Sequence, residues 1–259
     1  MAALSGTASA FLLIALEWAT DKHTSYHWLM WFLPIAGFAV GWIYLRFGEH
    51  VERGNNLLID EIHDPKKIIP FRMAPFVFFG NIISILFGAS VGREGTAVQM
   101  GGALADQLTH LFKFNSADRR IILMAGISAG FASVFGTPLA GAIFGLEVLV
   151  MGRMRYDAIF PCMVAAIIAD QVSLLWGVHH THYVVQSIPN ITAWGLFAMM
   201  LAGIAFGLTG KAFADLTHHT SALFKKHIAY APLRPFLGGL IVIAATWIVG
   251  SDRYIGLGV

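Results

Sequence analysis

The sequence predicts an all-α protein that crosses a lipid membrane several times. Hydrophobic residues make up 57% of the 259 residues and charged residues only 12%, whereas about a quarter of a soluble domain is charged. The net charge of +2 is too small and too scattered to indicate nucleic-acid binding. Six apolar segments approach the roughly 20 residues that a helix needs to cross a bilayer. They are residues 3–19, 28–48, 68–91, 155–178, 192–214 and 234–250.

Three further apolar segments are shorter and contain glycines, at residues 94–112, 121–134 and 137–151. Short, glycine-interrupted helices in series are typical of transporters, in which broken helices end near a binding site at the bilayer midplane. Polar joints separate the segments, at residues 48–56, 63–67, 113–120, 179–190 and 218–227. The sequence therefore predicts one membrane domain over residues 1–259, built as a bundle of tilted, broken and partly spanning helices.

Glycines also recur four residues apart, a spacing that lets two helices approach closely in lipid. The pairs are Gly37 with Gly41, Gly126 with Gly130, and Gly141 with Gly145. They predict a compact bundle and carry no information about function.

The stretch from Gly92 to Thr96 places two charges, Arg93 and Glu94, at the predicted start of a helix. A charge inside a membrane helix costs about 2.5–3.5 kcal/mol on insertion scales, so such residues are usually functional. The first N–H groups of a helix lack intrahelical partners and attract anions, and the flanking glycines, Gly92 and Gly95, permit close approach. Glu94 is predicted to compete with an anion for this helix end and to leave when protonated. Alternatively, Glu94 only caps the helix and pairs with Arg93.

A second candidate site lies upstream, where Gly54, Asn55 and Asn56 precede a short apolar stretch. Asparagine is a common helix cap, so a structural cap at a membrane boundary is the simpler interpretation. In the functional interpretation, one asparagine turns its amide N–H groups toward an anion held between this helix end and Glu94.

Glu147 is a further acid in apolar surroundings, two to three turns after the helix-start proline Pro138. It lies on a proton path, or it has a structural role and pairs with Arg153 or Arg155 near a membrane face. Both interpretations stay open.

Other classes of site are weakly supported. The histidine tracts lack carboxylate or cysteine partners, so they indicate wet loops rather than a metal site. These histidines are His179, His180, His182, His218 and His219. The single cysteine, Cys162, is expected to pack inside an apolar helix. No nucleotide loop is present, because GREGT lacks the GK[ST] sequence, and no second catalytic carboxylate supports an intramembrane enzyme. We expect no cofactor.

Two motifs resemble those of the CLC family of chloride channels and proton/chloride antiporters. Residues 92–102, GREGTAVQMGG, resemble the family signature GREGPxVQxGG. Residues 137–141, TPLAG, with Phe144 and Glu147, resemble APLAGxxFxxE, and Gly54 and the residue after it stand where the family has its GSGIP loop. The matching order covers nearly the whole chain.

The resemblance implies roles for individual residues. Glu94 would be the gating glutamate, Asn55 would stand where an anion-coordinating serine normally does, and Arg93 would brace the loop. Family members are homodimers with one anion pathway per subunit, and the implied partners are a halide ion and protons. The expected location is the plasma membrane of a bacterium.

Three departures from the family pattern are informative. Asn55 replaces the serine, Thr96 replaces the proline of GREGP, and Val148 stands where chloride antiporters have a second acid. Loss of the serine and of that acid resembles the fluoride/proton antiporter branch. Amide N–H donors are expected to replace the water around fluoride better than one hydroxyl does. We therefore predict proton-coupled fluoride export, with a chloride channel or a chloride/proton antiporter as alternatives.

The family fold consists of two inverted halves, and the sequence resembles the first half with the start of the second. The later anion-coordinating helix has no counterpart before Val259. The expectation is that the chain is truncated and that it does not transport on its own.

Overall fold

A computed structural model describes residues 1–49, 51–65, 67–147, 155–180, 190–251 and 254–256. Across these ranges the chain forms ten α-helices and three short 3-10 helices, and no strand. The α-helices are α1 (Ala2–Ser25), α2 (Leu33–Phe47), α3 (Asn55–His63), α4 (Met73–Leu86), α5 (Arg93–Leu111), α6 (Ser116–Phe135), α7 (Pro138–Glu147), α8 (Ile159–Leu175), α9 (Ala193–His227) and α10 (Leu233–Val249). The 3-10 helices are His27–Phe32, Val51–Arg53 and Tyr156–Ala158.

Four helical segments of the described chain are long and apolar enough to cross a membrane. They are Ala2–Ser25, His27–Phe47, Tyr156–Leu175 and Ala193–His227. Three apolar helices are shorter: α4 and α7 lie between the second and third of these segments, and α10 follows the fourth. The prediction of an all-α membrane protein with both full-length and short helices is confirmed.

Several predicted boundaries are wrong, each for a local reason. The segment 68–91 contains only the 14 residues of α4, because Pro70 precedes the helix and Gly88 ends it with a φ of 87°. The joint at 113–120 is helical from Ser116 onward, since the Asn115 side chain accepts hydrogen bonds from the first turn of α6. The joint at 218–227 continues α9, because no proline follows until Pro232.

Helices α5 and α6 pack backbone against backbone. A β-carbon added to Gly101 of α5 would overlap the carbonyl oxygen of Gly126 of α6, and one on Gly130 would overlap the carbonyl of Ala97. The prediction that Gly126 and Gly130 form a close helix contact is confirmed. Side chains larger than hydrogen at these positions would push the two helices apart.

The other two glycine pairs also lie at helix contacts. Gly37 and Gly41 of α2 face Pro235 of α10. The β-carbon position of each glycine lies 3.0 Å from the nearest atom of Pro235. Gly141 and Gly145 of α7 face α6, where an added β-carbon would meet the backbone or the side chains of that helix. All three predicted pairs therefore hold helices together.

A buried ion cluster ties α3, α5 and α6 together. The Arg119 guanidinium donates to both carboxylate oxygens of Asp106, at 2.6 and 3.0 Å, and to Glu61 at 3.1 Å. The backbone N–H of Ile69 also donates to Asp106, at 2.7 Å. Arg119, Asp106 and Glu61 are all less than a tenth exposed. Since α3 and α5 carry the candidate site at their N-terminal ends, this cluster fixes their relative position.

Candidate functional site

The N-terminus of α5 lies at the centre of the candidate site. The helix begins at Arg93, and its N-cap residue Gly92 is extended, with φ −75° and ψ 145° and no side-chain cap. The first-turn N–H groups therefore point out of the helix end, where the helix dipole adds about half a positive charge. Such an end favours a bound anion.

Glu94 brings a carboxylate to this same helix end. Its side chain is exposed and folds back, so that a β-carbon on Gly92 would overlap Oε2 of Glu94. The alternative that Glu94 pairs with Arg93 is wrong. The Arg93 guanidinium instead lies over the Phe135 ring, 5.6 Å from its centre, because the aromatic face attracts a cation.

The N-terminus of α3 differs from the interpretation in which asparagine caps the helix. Gly54 is the N-cap residue, with a φ of 54° that glycine adopts readily, and Asn55 is already the first helical residue. No side chain caps this helix. The capping interpretation of Asn55 is therefore wrong, and its amide remains available to another partner. Asn56 follows as the second helical residue, and both asparagines are exposed.

The two helix starts meet around Gly95. The amide nitrogen of Asn55 lies 3.7 Å from the β-carbon position of Gly95, and the amide nitrogen of Gln99 lies 3.8 Å from it. The Gln99 nitrogen also lies 3.4 Å from the β-carbon position of Gly54. The structure thus brings together Gly54, Asn55 and the first turn of α5, as the functional interpretation requires. Sequence reasoning missed Gln99, although its spacing of four from Gly95 places both on one helix face.

Two cavities adjoin the first turn of α5. The larger has a volume of about 750 Å³, and Arg93 lines it together with Thr137 and Phe135. The smaller has a volume of about 480 Å³. Its lining includes Gly54, Asn81, Gly92, Thr96 and Gln99. An ion at this helix end therefore has open space beside it.

Asn81 of α4 supports the site from behind, and sequence reasoning missed it. Its amide nitrogen donates to the carbonyl oxygen of Gly92 at 3.0 Å and to the Thr96 hydroxyl at 2.5 Å. The one signal in the sequence was a lone amide within the apolar run of α4. A buried amide of this kind needs a hydrogen-bond partner, but the pattern of apolar residues along the helix does not identify that partner.

The remaining candidates lie away from the α5 start. Glu147 ends α7 with an exposed side chain. Arg155 pairs with Asp157 at 2.6 Å, and no ion pair joins it to Glu147 among the described residues. Arg153 and Val148 lie outside the described residues. The proton-path and structural roles of Glu147 stay predictions.

The cysteine and the histidines fall in different settings. Cys162 is fully buried in α8, as predicted. His179 and His180 line the larger cavity, and the other tract, His218 and His219, is on the exposed surface of α9. His182 lies outside the described residues. Among the residues that the structure describes, no group of three or more His, Cys, Asp or Glu side chains has the arrangement of a metal site.

Comparison with known proteins identifies relatives over the whole chain. The family model for voltage gated chloride channels matches residues 36–258. A chloride/fluoride channel protein of Pseudomonas syringae is 61% identical over 100% of this chain, which spans 59% of that relative's length. An H(+)/Cl(-) exchange transporter of Vibrio cholerae is 33% identical over 60% of this chain and 34% of its own.

Solved structures share the fold. A CLC-type fluoride/proton antiporter superposes with a TM-score of 0.94 at 30% identity, covering 99% of this chain and 65% of that one. A slow cyanobacterial Cl-/H+ antiporter, 20% identical, superposes with a TM-score of 0.78 over 94% of this chain and 61% of its own, and indicates the fold alone. These comparisons and the motifs around Glu94 agree: the chain belongs to the CLC family of voltage gated chloride channels.

Proposed function

We propose that this chain forms part of a proton-coupled fluoride transporter and supplies its anion site and its gating glutamate. The observation that carries the proposal is made at the uncapped start of α5, where the Glu94 carboxylate lies against Gly92 and the Asn55 amide lies beside Gly95. The names of the relatives support the choice of ion, since one is a chloride/fluoride channel protein and another a fluoride/proton antiporter.

The proposed anion site consists of backbone and amide donors. The N–H groups of the first turn of α5 supply partial positive charge, and the Asn55 amide supplies two N–H donors from the facing helix start. The other residues of the proposed anion site flank these donors. They are Gly54, Asn56, Gly92, Arg93, Gly95 and Thr96. Since fluoride is small and strongly hydrated, it needs several such donors to replace its water.

Glu94 couples the anion to a proton by charge competition. As a carboxylate, its side chain occupies the electropositive helix end and excludes a second anion by repulsion. Protonation removes this charge, so the helix end favours fluoride and the neutral side chain leaves. Binding of one proton to Glu94 thus allows fluoride to replace the Glu94 carboxylate at the start of α5.

The main alternative is a passive channel, which needs only the helix-end site and no proton exchange at Glu94. The Pseudomonas relative is named a channel protein, and this is the specific reason to keep the alternative. Fluoride selectivity and proton coupling are separate properties. The transporter and the channel therefore differ in one measurement, which is whether protons move when fluoride moves. A chloride-transporting protein of the same family is the second alternative.

The test places the complete native chain in liposomes with an outward fluoride gradient. We expect fluoride efflux to drive protons inward against their gradient, measured with a pH electrode. The variant Glu94→Gln should abolish this proton uptake, and any remaining fluoride flux should no longer depend on the proton gradient. Fluoride flux in the native protein with no proton movement would establish a channel instead.

A matched control separates gating from general loss of charge. Asp60 lies on α3 near the site, but it is exposed and pairs with Arg53. The variant Asp60→Asn should retain fluoride-driven proton uptake. Equal loss of coupling in Asp60→Asn and Glu94→Gln would overturn the role of Glu94.

We also propose that the protein is a homodimer in the inner membrane of a bacterium. The bacterial sources of the matched relatives support the location, and the homodimers implied by the family resemblance support the assembly. Mass measurement of the protein in lipid nanodiscs tests the assembly, since a single-subunit mass at all concentrations would contradict it.

A further inference from the structure

The side chain of Asn81 makes two hydrogen bonds to the helix start that carries Glu94. Asn81 is 6% exposed, and its amide nitrogen contacts the Gly92 carbonyl oxygen and the Thr96 hydroxyl oxygen. One of these partners precedes Glu94 by two residues and the other follows it by two. Asn81 therefore holds both sides of the turn.

The chemistry of the partners determines how the Asn81 amide is oriented. A carbonyl oxygen only accepts hydrogen bonds, so the amide nitrogen of Asn81 must face Gly92. The nitrogen has two hydrogens, and the second goes to Thr96 Oγ1. The Thr96 hydroxyl consequently accepts from Asn81, and its own proton remains to be donated elsewhere.

In a helix, that proton usually goes to the carbonyl four residues earlier. Thr209 shows the usual arrangement, with its hydroxyl donating to the Ala205 carbonyl at 2.8 Å. For Thr96 the corresponding carbonyl belongs to Gly92, and the hydrogen bond that this carbonyl accepts from a side chain comes from the Asn81 amide. Across the described residues, the Thr96 hydroxyl donates no hydrogen bond. Thr96 is one of the residues that line the cavity of about 480 Å³, together with Gly54 and Gln99.

We infer that the Thr96 hydroxyl donates to the transported anion and that Asn81 is the positioning residue that aims it. The inference rests on the proposed function, because it adds a donor to the anion site proposed there. Thr96 stands where the GREGP signature has proline, which has no hydroxyl, so this donor accompanies the departure from that signature. Fluoride should depend on the donor more than chloride does, since fluoride is the stronger hydrogen-bond acceptor.

The experiment measures fluoride and chloride fluxes of the complete native chain in liposomes over a range of anion concentrations. The variant Thr96→Val keeps the shape and removes the hydroxyl, and it should weaken apparent fluoride affinity roughly tenfold, with a smaller effect on chloride. The variant Thr96→Ser keeps the hydroxyl and should retain most of the fluoride affinity. Equal fluoride affinity in Thr96→Val and the native protein would overturn the inference.

A double-mutant cycle tests whether Asn81 acts through Thr96. Asn81→Ala should also weaken apparent fluoride affinity roughly tenfold, and the double variant should be no worse than Thr96→Val alone. Additive losses would show that Asn81 does not act through the hydroxyl. If Asn81→Ala does not fold, as judged by gel filtration, the comparison of Thr96→Val with Thr96→Ser still decides whether the hydroxyl binds fluoride.

A control comes from the same helix and the same cavity. The Ser84 hydroxyl donates to the Gly80 carbonyl within α4, at 2.7 Å, so Ser84→Ala should leave fluoride affinity unchanged. A loss in Ser84→Ala as large as that in Asn81→Ala would overturn the positioning role. The failure of the proposed function has a different result, in which the native protein itself moves no fluoride.

Discussion

At the scale of single residues, side-chain amides supply the polar contacts around the two helix starts. Asn55, Asn81 and Gln99 each place an amide nitrogen beside a glycine or its carbonyl. An amide is neutral, so it is less costly than a charge in a membrane interior, and it offers two donors in fixed directions. The glycines leave room for these amides to approach the backbone.

Selectivity should change when the amide at position 55 is replaced. We expect Asn55→Ser to lower the ratio of fluoride to chloride flux, by about tenfold, because one hydroxyl replaces two N–H donors. Parallel flux measurements in liposomes give the ratio. An unchanged ratio would remove Asn55 from the anion site.

Asn115 provides a matched control at the start of a different helix. Its side chain accepts hydrogen bonds from the N–H groups of Ala117 and Asp118, which is the capping role that Asn55 lacks. Serine also caps helices well, so Asn115→Ser should preserve both folding and the flux ratio.

At the scale of helices, the position of α5 depends on its contact with α6. Because Gly101 and Gly126 leave no side chain between them, the two backbones touch. Close packing of this kind transmits any displacement of α6 directly to the start of α5. The geometry of the candidate site therefore depends on residues that lie outside it.

We expect Gly101→Ala to destabilise the protein by about 2–3 kcal/mol, since the added methyl group overlaps the Gly126 carbonyl oxygen. Thermal unfolding in detergent should show a lower midpoint. The variant Gly238→Ala in α10 is the control, because nothing lies within 4 Å of its β-carbon position. Similar midpoints for the two variants would contradict the close contact.

The buried cluster around Arg119 makes a second prediction at this scale. We expect Arg119→Gln to cost about 3–5 kcal/mol, because it leaves the buried Asp106 carboxylate without its cation. Arg155→Gln removes a more exposed pair, with Asp157, and should cost less than about 1 kcal/mol. The comparison of thermal midpoints measures both, and equal losses would show that the Arg119 cluster contributes no more than a surface pair.

At the scale of the whole molecule, the length of α9 exceeds what a bilayer needs. Its 35 residues extend about 52 Å, whereas the hydrocarbon core is about 30 Å thick. The first half of α9 is apolar, and charged and histidine residues follow from Lys211 onward. We infer that the C-terminal half of α9 reaches the membrane surface.

Cysteine labelling tests this placement in a background in which every native cysteine, Cys162 included, is replaced by serine. We expect Thr220→Cys to react with a membrane-impermeant maleimide and Ala205→Cys not to react, because only the first lies beyond the apolar half. Open vesicles expose both sides of the membrane, so orientation does not affect the result. Equal labelling of the two positions would contradict the placement.

Much of the fold follows from composition and local pattern. The membrane class, the start of α5 at Arg93 and the three glycine contacts were all predicted, because lipid imposes apolar length and helix contacts impose small residues. The end of α9 was not predicted, since polar residues alone do not end a helix when no proline follows.

Residue types and their spacing are enough to predict a candidate site around Glu94. Their contacts come from packing in three dimensions, which brings the Asn55 amide beside Gly95 and the Asn81 amide to the Thr96 hydroxyl. The cluster that joins Arg119 to Glu61 was equally unforeseen. The physical reason is distance along the chain: these pairs are separated by 15 and 58 residues. Local propensity extends over a few residues, and packing chooses the rest.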